Sequence, residues 1–256
     1  MQMQDHYKSG SNVSSEKRDC LEEKFGEDYF QGVGSNYPLS GYENTPDMIK
    51  DFSSTVRFLI SQLGTQASFL DVGCAYGFLV KLAYEQGLDA HGLDISSYAI
   101  KRGKELNHEI KDRLIVAKAE KVASVYVKKR FNVISALEVL EHVPNPREAL
   151  LSIYLGLNRK GWLLISTPSP VLWGDKDVTH IFVRSLKDWK KELKQLGFEV
   201  KAPFFFYSPS NKILAQIGTA LDRNKHLSEL WRRIVGTFIS LDRRYSRQQH
   251  ILAIRK

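Results

Sequence analysis

Apolar and polar positions alternate along the chain with two different periods. Short apolar runs, typical of buried strands, alternate with segments whose apolar residues recur every three or four positions, as on one face of a helix. The predicted strands are residues 68–72, 90–94, 114–117, 131–136, 162–167, 198–202 and 250–254. The predicted helices are residues 78–86, 97–106, 146–157 and 186–196. This order predicts an α/β fold with a parallel sheet that carries helices on both faces.

Punctuating residues support several of these boundaries. Gly87 and Gly161 follow apolar helical runs, so we expect both in the left-handed conformation that ends helices. Pro146 fits the first turn of a helix, where its missing N–H has no intrahelical partner in any case.

One segment interrupts the alternation, because about 45 residues separate the strand near Val200 from the last strand. Within it an apolar stripe recurs at helical spacing, and Glu229, Arg232 and Arg233 are predicted to face away from that stripe. The stripe consists of Leu227, Leu230, Trp231, Ile234, Val235, Phe238, Ile239 and Leu241. We expect this helix to cover the sheet or a binding pocket, although basic residues beside Trp231 also allow contact with a membrane surface through residues 227–247.

The pattern divides the chain into three parts. Residues 1–20 are polar without an apolar period and predict a flexible leader. Residues 21–55 mix aromatic residues with turn formers and predict an N-terminal lid or helical segment. Residues 56–256 form the main domain, with a helical insertion at about 207–248.

Composition narrows the class of protein. The chain has 256 residues, of which 43% are hydrophobic and 26% charged, as expected for a globular domain. It shows neither a run of about 18 to 20 apolar residues nor a secretory signal, so we expect a cytoplasmic protein. Cys20 and Cys74 are predicted to be free thiols. The formal net charge is +8, and from Asp222 onwards nine basic residues accompany three acidic ones, which favours anionic partners only in a general way.

The strongest local motif follows the first strand. There an acid, Asp71, leads into a turn bounded by Gly73 and Gly77, and the turn opens into a helix. Such a turn brings the backbone close to a ligand and directs helix N–H groups at an anionic group, although a ligand-free turn has the same letters. With Ala75 between the glycines, the GxGxxG spacing of dinucleotide-binding sites is absent, which argues against a nicotinamide oxidoreductase.

Two further segments lie where open α/β sheets bind ligands. Asp94 ends the second strand 23 residues after Asp71, and a carboxylate there can accept both hydroxyls of a ribose. Its alternative role is to cap the next helix, which Ser96 or Ser97 could equally do. Residues 135–146 follow the fourth strand, at the same edge of the sheet.

Taken together, these segments resemble the class I S-adenosylmethionine-dependent methyltransferases. The resemblance covers about residues 50–205 and the last strand, and rests on the motifs LDVGCAYG, GLDIS, VLEHVPNP and NRKGWLLISTPSP in that order. It is strongest to the branch with the ubiquinone-biosynthesis O-methyltransferases and many sugar and natural-product enzymes. The resemblance implies a Rossmann-like, seven-stranded, mostly parallel sheet with an antiparallel last strand. It also implies S-adenosylmethionine as cofactor and S-adenosylhomocysteine (SAH) as product.

The resemblance also implies which residues hold the cofactor. Asp94 would bind the ribose and Ile95 the adenine, Lys118 and Ala119 would lie at the adenine amino edge, and Leu137 and Glu138 would lie under the sulfonium arm. The methionine half would meet Asp71, Gly73, Cys74, Ala75 and Gly77. The chain departs from the family at two of these positions. Ala75 replaces a glycine, which requires a negative φ there, and Lys118 replaces an acid, which leaves the backbone of Ala119 as the adenine contact.

Methyl transfer from a sulfonium needs mainly alignment, together with a base if the acceptor is a hydroxyl. His142 is the first candidate base and His180 the second, and either could instead hold a loop through hydrogen bonds. Tyr29, Phe30, Tyr37 and Tyr42 are predicted to form an aromatic lid over the site, or simply to pack.

Glu138, Glu141 and His142 have the residue types of a divalent-metal site, and some ubiquinone-branch relatives hold an ion there. In metal-free relatives the same letters cap or anchor loops, and we expect no metal.

The expected function is therefore O-methylation of a small-molecule, sugar or lipid-linked acceptor. A non-catalytic cofactor-binding or regulatory subunit with the same fold is the alternative, which the absence of any base from the pocket would favour. No (N/D/S)PP(Y/F/W) motif of amino-methylating DNA enzymes is present, so specific nucleic-acid binding is not expected.

Overall fold

The computed structural model describes residues 22–44, 46–170, 177–202, 204, 217, 220–221, 223–241 and 248–256. The predicted leader, residues 1–20, lies outside these residues, and so does most of the predicted insertion between residues 205 and 222. The strands are β1 Ser68–Val72, β2 Asp89–Asp94, β3 Leu114–Val116, β4 Phe131–Leu137, β5 Leu157–Pro168, β6 Phe198–Lys201 and β7 Gln248–Arg255. The helices are α1 Glu27–Phe30, α2 Pro46–Leu63, α3 Phe78–Glu85, α4 Ser97–Leu106, α5 Val122–Val125, α6 Pro146–Gly156, α7 Leu186–Gln195 and α8 Lys225–Leu241. Short 3₁₀ turns occupy Tyr42–Asn44, His108–Arg113 and Ala119–Lys121.

The seven strands form one sheet in the order β3-β2-β1-β4-β5-β7-β6. Strands β1 to β5 pair in parallel, whereas β7 runs antiparallel to both β5 and β6. The predicted α/β fold, with a mostly parallel sheet and an antiparallel last strand, is confirmed. The chain leaves β1 toward β2 and β3 and then returns to β4, so a topological switch point lies between β1 and β4. Ligands bind at the carboxyl side of such a point.

Both faces of the sheet are covered, as the continuous apolar runs of its strands require. Leu70 and Val72 of β1 contribute to one core with α6 and α7, where Trp189 is fully buried. Phe69, on the opposite face of the same strand, packs with residues of α2, α3 and α4. Burial of each such large side chain contributes about 1.5 to 3 kcal/mol to the stability of the fold. The sheet is therefore a stable support for the site at its edge.

The helix ends follow their capping residues. Ser96 begins α4, where its Oγ accepts a hydrogen bond from the N–H of Ala99 at 3.0 Å. Asn145 caps α6, whose first turn contains Pro146, as predicted. Gly87 has φ of 89°, which confirms the predicted left-handed residue after α3. These caps satisfy N–H groups that would otherwise lack partners.

The prediction for Gly161 was wrong. Helix α6 ends at Gly156 and β5 begins at the next residue, so Gly161 lies within a strand. The positive φ in this region belongs instead to Lys160, at 62°. The pairing of β4 with β5 shifts register near this point, which indicates a bulge. The sequence pattern at the start of a bulged strand resembles that of a helix terminus. The pattern therefore predicts a loop at residues 158–161, which the structure places in β5.

The orientation of helix α8 agrees with the prediction only in part, because Val235 is buried and Arg233 is exposed as expected. Leu227, Leu230 and Ile234 of the expected covering stripe are 47%, 54% and 43% exposed. Arg232, which was predicted to face away, is instead buried, and its guanidinium lies 4.0 Å from the centre of the Phe58 ring. A guanidinium can replace an aliphatic side chain there because it stacks on an aromatic face. Within the described part of the chain, no helix has the length and apolar character needed to cross a bilayer.

Residues 22–44 pack against the carboxyl edge of the sheet through an aromatic cluster. Phe25, Tyr29, Phe30 and Tyr42 are buried there together with Tyr76. The segment is tied to α4 at two points: the Ser96 hydroxyl donates to the Phe25 carbonyl at 2.5 Å, and Arg102 pairs with Glu43 at 2.7 Å. The segment therefore lies where the sequence predicted a lid.

Candidate active site

A cavity of about 400 Å³ opens at the carboxyl edge of the sheet, beside the switch point. The strand register places its walls, because Val72 of β1 is aligned with Leu93 of β2 and with Ala136 of β4. Its wall includes Phe25, Tyr29, Phe30, Tyr37, Gly73, Ala75, Asp94, Ile95, Lys118, Ala119, Glu138, Val139 and His142. Apolar walls with a few polar groups are typical of small-molecule sites.

The turn after β1 forms one wall of the cavity. Gly73 has φ of 73°, and a Cβ at this position would lie 2.3 Å from Cγ2 of Val139. The turn is fixed by Asp94, whose Oδ2 accepts from the N–H of Ala75 and whose Oδ1 accepts from the N–H of Ser96, both at 2.8 Å. Burial raises the pKa of the Asp94 carboxyl despite these hydrogen bonds. Asp94 is thus a structural tie and a cavity-lining acceptor at the same time.

The expectation for Ala75 was wrong. Its φ is 48°, in the left-handed region, and not negative as the replacement of a glycine was expected to require. The hydrogen bond from its N–H to Asp94 explains how the conformation is held against the strain of a Cβ there.

Replacing Ala75 with glycine should therefore stabilise the fold. The left-handed conformation costs an L-residue roughly 1 to 2 kcal/mol, and glycine gives back part of that gain through unfolded-state entropy. We expect a net increase of about 1 kcal/mol in the free energy of unfolding, measured by urea denaturation. Ala83→Gly in α3 is the matched control, since the same substitution in a helix should be destabilising; equal effects at both positions would contradict the explanation.

Asp71 lies beneath the turn and not in the cavity wall. It is buried, and its Oδ1 accepts a hydrogen bond from the Ser135 hydroxyl at 2.6 Å. Burial raises the pKa of this carboxyl to about 7. The acid of the motif therefore supports the strand end, as a proton-linked structural group.

The Asp71 carboxyl should make stability depend on pH. A folded-state pKa above the unfolded value of 3.8 means that the folded state binds the proton more tightly. This contribution is complete below pH 3.8 and is lost as pH rises through 7. Asp71→Asn keeps the acceptor oxygen without the charge, so its advantage over wild type should grow between about pH 5 and pH 8 by about 2 kcal/mol. Urea denaturation at both pH values measures this, with exposed Asp112→Asn as control; a gain that is independent of pH would contradict it.

The structure brings most of the predicted site residues to the cavity. The predicted residues in its wall are Tyr29, Phe30, Tyr37, Gly73, Ala75, Asp94, Ile95, Lys118, Ala119, Glu138 and His142. Those outside it are Tyr42, Asp71, Cys74, Gly77, Leu137 and His180.

The residues outside the cavity wall have structural surroundings of their own. Cys74 is buried and packs on Gly92. A Cβ atom added to Gly92 would lie 2.7 Å from Sγ of Cys74. Gly77 is the left-handed residue that begins α3, and Leu137 packs in the core below. Tyr42 packs edge-on against Tyr37 with ring centres 5.0 Å apart. Their proposed cofactor and lid roles stay predictions.

His142 occupies the end of the cavity lined by aromatic residues. It follows β4 in a tight turn, in which its N–H donates to the Val139 carbonyl at 3.0 Å. Phe25 and Tyr29 contact the imidazole edge-on, with ring centres 5.4 and 6.4 Å away. The ring of His180 lies 4.7 Å behind that of His142. Of the two predicted bases, only His142 reaches the cavity wall.

Glu141 groups with the two histidines, whereas Glu138 does not. The ligand atoms of Glu141, His142 and His180 lie within 4.8 Å of one another. Glu138 has φ of 55° and accepts a hydrogen bond from the Ser166 hydroxyl at 2.7 Å. Burial, followed by repulsion from Glu138, raises the pKa of Glu141 well above its usual range. Of the three residues predicted as one group, Glu141 and His142 therefore lie together beside His180, whereas Glu138 is hydrogen-bonded to Ser166.

Comparison with known proteins identifies the family. A family model described as a methyltransferase domain matches residues 46–202. The ubiquinone biosynthesis O-methyltransferase of Nitrosomonas europaea is 26% identical over 141 residues, which cover 51% of this chain and 59% of that protein. The mitochondrial enzyme of the same name from Schizosaccharomyces pombe is 32% identical over 107 residues, covering 40% of this chain and 38% of that one. The chain belongs to the class I S-adenosylmethionine-dependent methyltransferases.

Solved methyltransferases share the fold. The plantazolicin methyltransferase BamL, in complex with a triazolic desmethylPZN analog and SAH, superposes with a TM-score of 0.60 at 17% identity, covering 93% of this chain and 98% of that one. A SAM-dependent methyltransferase from Archaeoglobus fulgidus has a TM-score of 0.58 at 20% identity, covering 84% and 96%. The match to curated relatives is shorter, because the chain spans only 38% to 59% of the length of the ubiquinone enzymes.

The cavity of this methyltransferase fits the cofactor of the family. S-adenosylmethionine requires an acceptor for its ribose hydroxyls, an apolar surface for its adenine and close backbone for its methionine half. Asp94 lines the cavity with a carboxylate, Ile95 with an apolar side chain, and Gly73 with backbone that carries no side chain. These three groups match the three requirements of the cofactor, and Asp94, Ile95 and Gly73 are the residues that would hold it.

Sequence reasoning missed several groups of the methyltransferase site. Phe25 lies in the cavity wall, and Asp177 and Thr179 lie directly behind His142. The sequence does carry a signal for Asp177 and Thr179. An aspartate commonly accepts the N–H of the residue two positions later, which forms an Asx turn. Thr179 does donate its N–H to Oδ1 of Asp177, at 2.9 Å. No sequence signal indicated that this turn meets His142, which lies 37 residues away.

Proposed function

We propose that the protein transfers the methyl group of S-adenosylmethionine to a hydroxyl of a small-molecule, sugar or lipid-linked acceptor, with His142 as the general base. The observation that carries the proposal is the position of His142 in the wall of the same cavity that Asp94 lines. The absence of a base from this cavity would have favoured a non-catalytic cofactor-binding subunit. An imidazole in the wall favours catalysis.

The cofactor end of the cavity supplies binding groups. In this proposal the Asp94 carboxylate accepts the ribose hydroxyls, which is a charge-assisted interaction in a water-poor environment. Ile95 packs on the adenine, and the backbone of Ala119 contacts its amino edge, because Lys118 is not an acceptor. The methionine half runs along the turn at Gly73.

The acceptor end supplies alignment. S-adenosylmethionine brings an activated methyl group, so the protein has to hold the acceptor oxygen in line with it and remove a proton. Alignment alone contributes up to roughly 7 to 11 kcal/mol in favourable cases. Phe25 and Tyr29, which contact His142, help to exclude water from this end, while His142 takes the proton.

Aromatic walls favour an acceptor with a flat or apolar portion. Four aromatic rings line the cavity, two of them in contact with His142, and rings of this kind bind apolar faces through offset or edge-on contacts. The curated relatives are O-methyltransferases of ubiquinone biosynthesis, which supports oxygen as the acceptor atom. Since the matches cover less than two thirds of those enzymes, the proposed acceptor class is kept broader than theirs.

The experiment that tests this function uses S-adenosylmethionine with a labelled methyl group. The purified protein is incubated with it and with an unfractionated lysate of the cells that express the protein, and label is then measured separately in small molecules, protein and nucleic acid. Protein-dependent label in small molecules that is absent with Asp94→Ala supports a small-molecule acceptor. Stability to mild alkali excludes a methyl ester, and the ¹³C chemical shift of the transferred methyl group then distinguishes a methyl ether from N-, S- or C-methylation. Label in nucleic acid or protein would contradict the acceptor class. SAH binding without any transfer would favour the non-catalytic alternative.

Removing divalent ions should leave transfer unchanged. Glu141, His142 and His180 have donor atoms close enough to approach one ion. However, Nδ1 of His142 lies 2.8 Å from the Thr179 hydroxyl, and the proposed mechanism needs the other ring nitrogen to take a proton, which a bound cation there would prevent. We expect the transfer rate to stay within about twofold after EDTA treatment, since no step of the proposed chemistry uses a Lewis acid. Loss of activity that zinc or magnesium restores would contradict this.

A further inference from the structure

A chain of hydrogen bonds runs from the cavity wall into the protein behind His142. Nδ1 of His142 lies 2.8 Å from the hydroxyl oxygen of Thr179, and that hydroxyl donates to Oδ1 of Asp177. Oδ2 of Asp177 accepts from the Tyr29 hydroxyl at 3.0 Å. His142, Thr179, Asp177 and Tyr29 are each no more than 9% exposed. The chain therefore connects a cavity-lining imidazole with a buried carboxylate and with the N-terminal aromatic segment.

The direction of these hydrogen bonds follows from the number of protons. Asp177 accepts from the N–H of Thr179, from the Thr179 hydroxyl and from the Tyr29 hydroxyl, which suits a carboxylate because a carboxylate is only an acceptor. Burial raises the pKa of Tyr29 well above its ordinary value, so its hydroxyl keeps the proton that it donates. Thr179 has only one hydroxyl proton, and Asp177 receives it. Toward His142 the Thr179 oxygen can then only accept.

An accepting oxygen at 2.8 Å assigns the imidazole proton to Nδ1. In a neutral imidazole the other nitrogen, Nε2, then carries the lone pair. Nε2 lies on the far side of the ring from Thr179, and His142 lines the cavity whereas Thr179 does not. The nitrogen that can accept a proton is therefore the one turned away from the buried chain.

We propose that Thr179 and Asp177 are positioning residues that hold His142 in the Nδ1–H tautomer, so that Nε2 can accept the proton of the acceptor hydroxyl. This inference rests on the proposed function of His142 as the base. In the step, the acceptor O–H bond breaks as its oxygen forms the bond to the methyl carbon. The proton moves to Nε2, and the C–S electron pair stays on the sulfur of SAH. The imidazolium that results keeps its Nδ1–H bond to Thr179, with the Asp177 charge behind it.

Local structure holds the two positioning residues in place. Asp177 and Thr179 belong to one Asx turn, so the acceptor and the hydroxyl that it orients move together. The neighbouring Ile181 and Phe182 donate their N–H groups to the Glu141 carbonyl at 2.9 and 2.8 Å. These bonds fix the loop to the residue next to His142, so the distance between Thr179 and the imidazole does not depend on a long flexible connection.

The test is the tautomer of His142, read by two-bond ¹H–¹⁵N correlation in the full-length protein labelled with ¹⁵N-histidine. His142→Asn assigns the signal by its disappearance. At about pH 8.5, where an imidazole is ordinarily neutral, we expect the wild type to show a protonated Nδ1 and a lone pair on Nε2. Thr179→Val should change the tautomer ratio roughly 10-fold toward Nε2–H, which is the size expected for one hydrogen bond. Thr179→Ser should restore it.

The controls separate this inference from a structural effect and from the proposed function. Thr65→Val makes the same change at an exposed site and should leave the His142 signals unchanged. Thr179→Ala provides a second removal of the hydroxyl if valine disturbs the fold. An Nε2–H tautomer in the wild type, or an unchanged ratio in both Thr179 variants, would overturn the proposal. Because the tautomer is read without cofactor or acceptor, absence of SAH binding would instead overturn the proposed function alone.

Discussion

Replacing Asp94 with alanine should weaken the binding of SAH by about 100-fold or more. The carboxylate faces the cavity, is 7% exposed and already accepts two backbone hydrogen bonds, from Ala75 and Ser96. A hydrogen bond to a charged group contributes about 1.5 to 3 kcal/mol, so the loss of the two proposed ribose contacts would account for a change of this size. Isothermal titration calorimetry of the purified protein with SAH measures it.

The same substitution removes the tie between the β1 turn and α4, so binding and folding have to be separated. Asp94→Asn keeps one acceptor oxygen and should retain more affinity than Asp94→Ala. Asp89→Ala is the matched control, because Asp89 begins the same strand at its opposite end and pairs there with Arg113 and Lys129. It should lower stability without changing the affinity for SAH. Equal loss of affinity in the Asp89 and Asp94 variants would indicate a folding effect and contradict the assigned contact.

The parts of the fold that depend on local pattern could be predicted from the sequence. Strand β1 was predicted with its observed bounds, Ser68–Val72, and the acid that ends β2 was placed at the edge of the sheet where the cavity lies. Both rest on a buried apolar run followed by turn residues, which is a signal carried by neighbouring positions. The alternation of strands with helices also predicted that most strands are parallel.

Features that depend on distant contacts could not be predicted. The positive φ of Ala75 is held by a carboxylate 19 residues away, and the burial of Arg232 depends on the ring of Phe58 in another helix. Nothing in the sequence near either residue reports such a partner. The same limit applies to His142 and Thr179, which are 37 residues apart and meet only because the loop after β5 returns to the turn after β4.

Replacing His142 with asparagine should lower kcat for methyl transfer by about 100- to 10,000-fold, which is the range that general bases contribute. Asparagine keeps a polar side chain of similar reach at the cavity wall but cannot take a proton at neutral pH. Because the proposed cofactor contacts are those of Asp94, Ile95 and Gly73, the affinity for SAH should change by no more than about twofold. Loss of a base would then act only on the transition state. Steady-state kinetics with an acceptor identified by the labelling experiment measures kcat, and calorimetry measures the affinity.

His180→Asn is the control for this prediction, since His180 lies behind His142 and outside the cavity wall. It should reduce kcat by less than about tenfold, through the packing of the neighbouring ring alone. A His142→Asn enzyme that keeps kcat within threefold of wild type would show that alignment suffices and that the acceptor loses its proton to water. A larger loss in the His180 variant would transfer the role of base to the second histidine. The predicted order of the two effects therefore follows from which imidazole the fold turns toward the cavity.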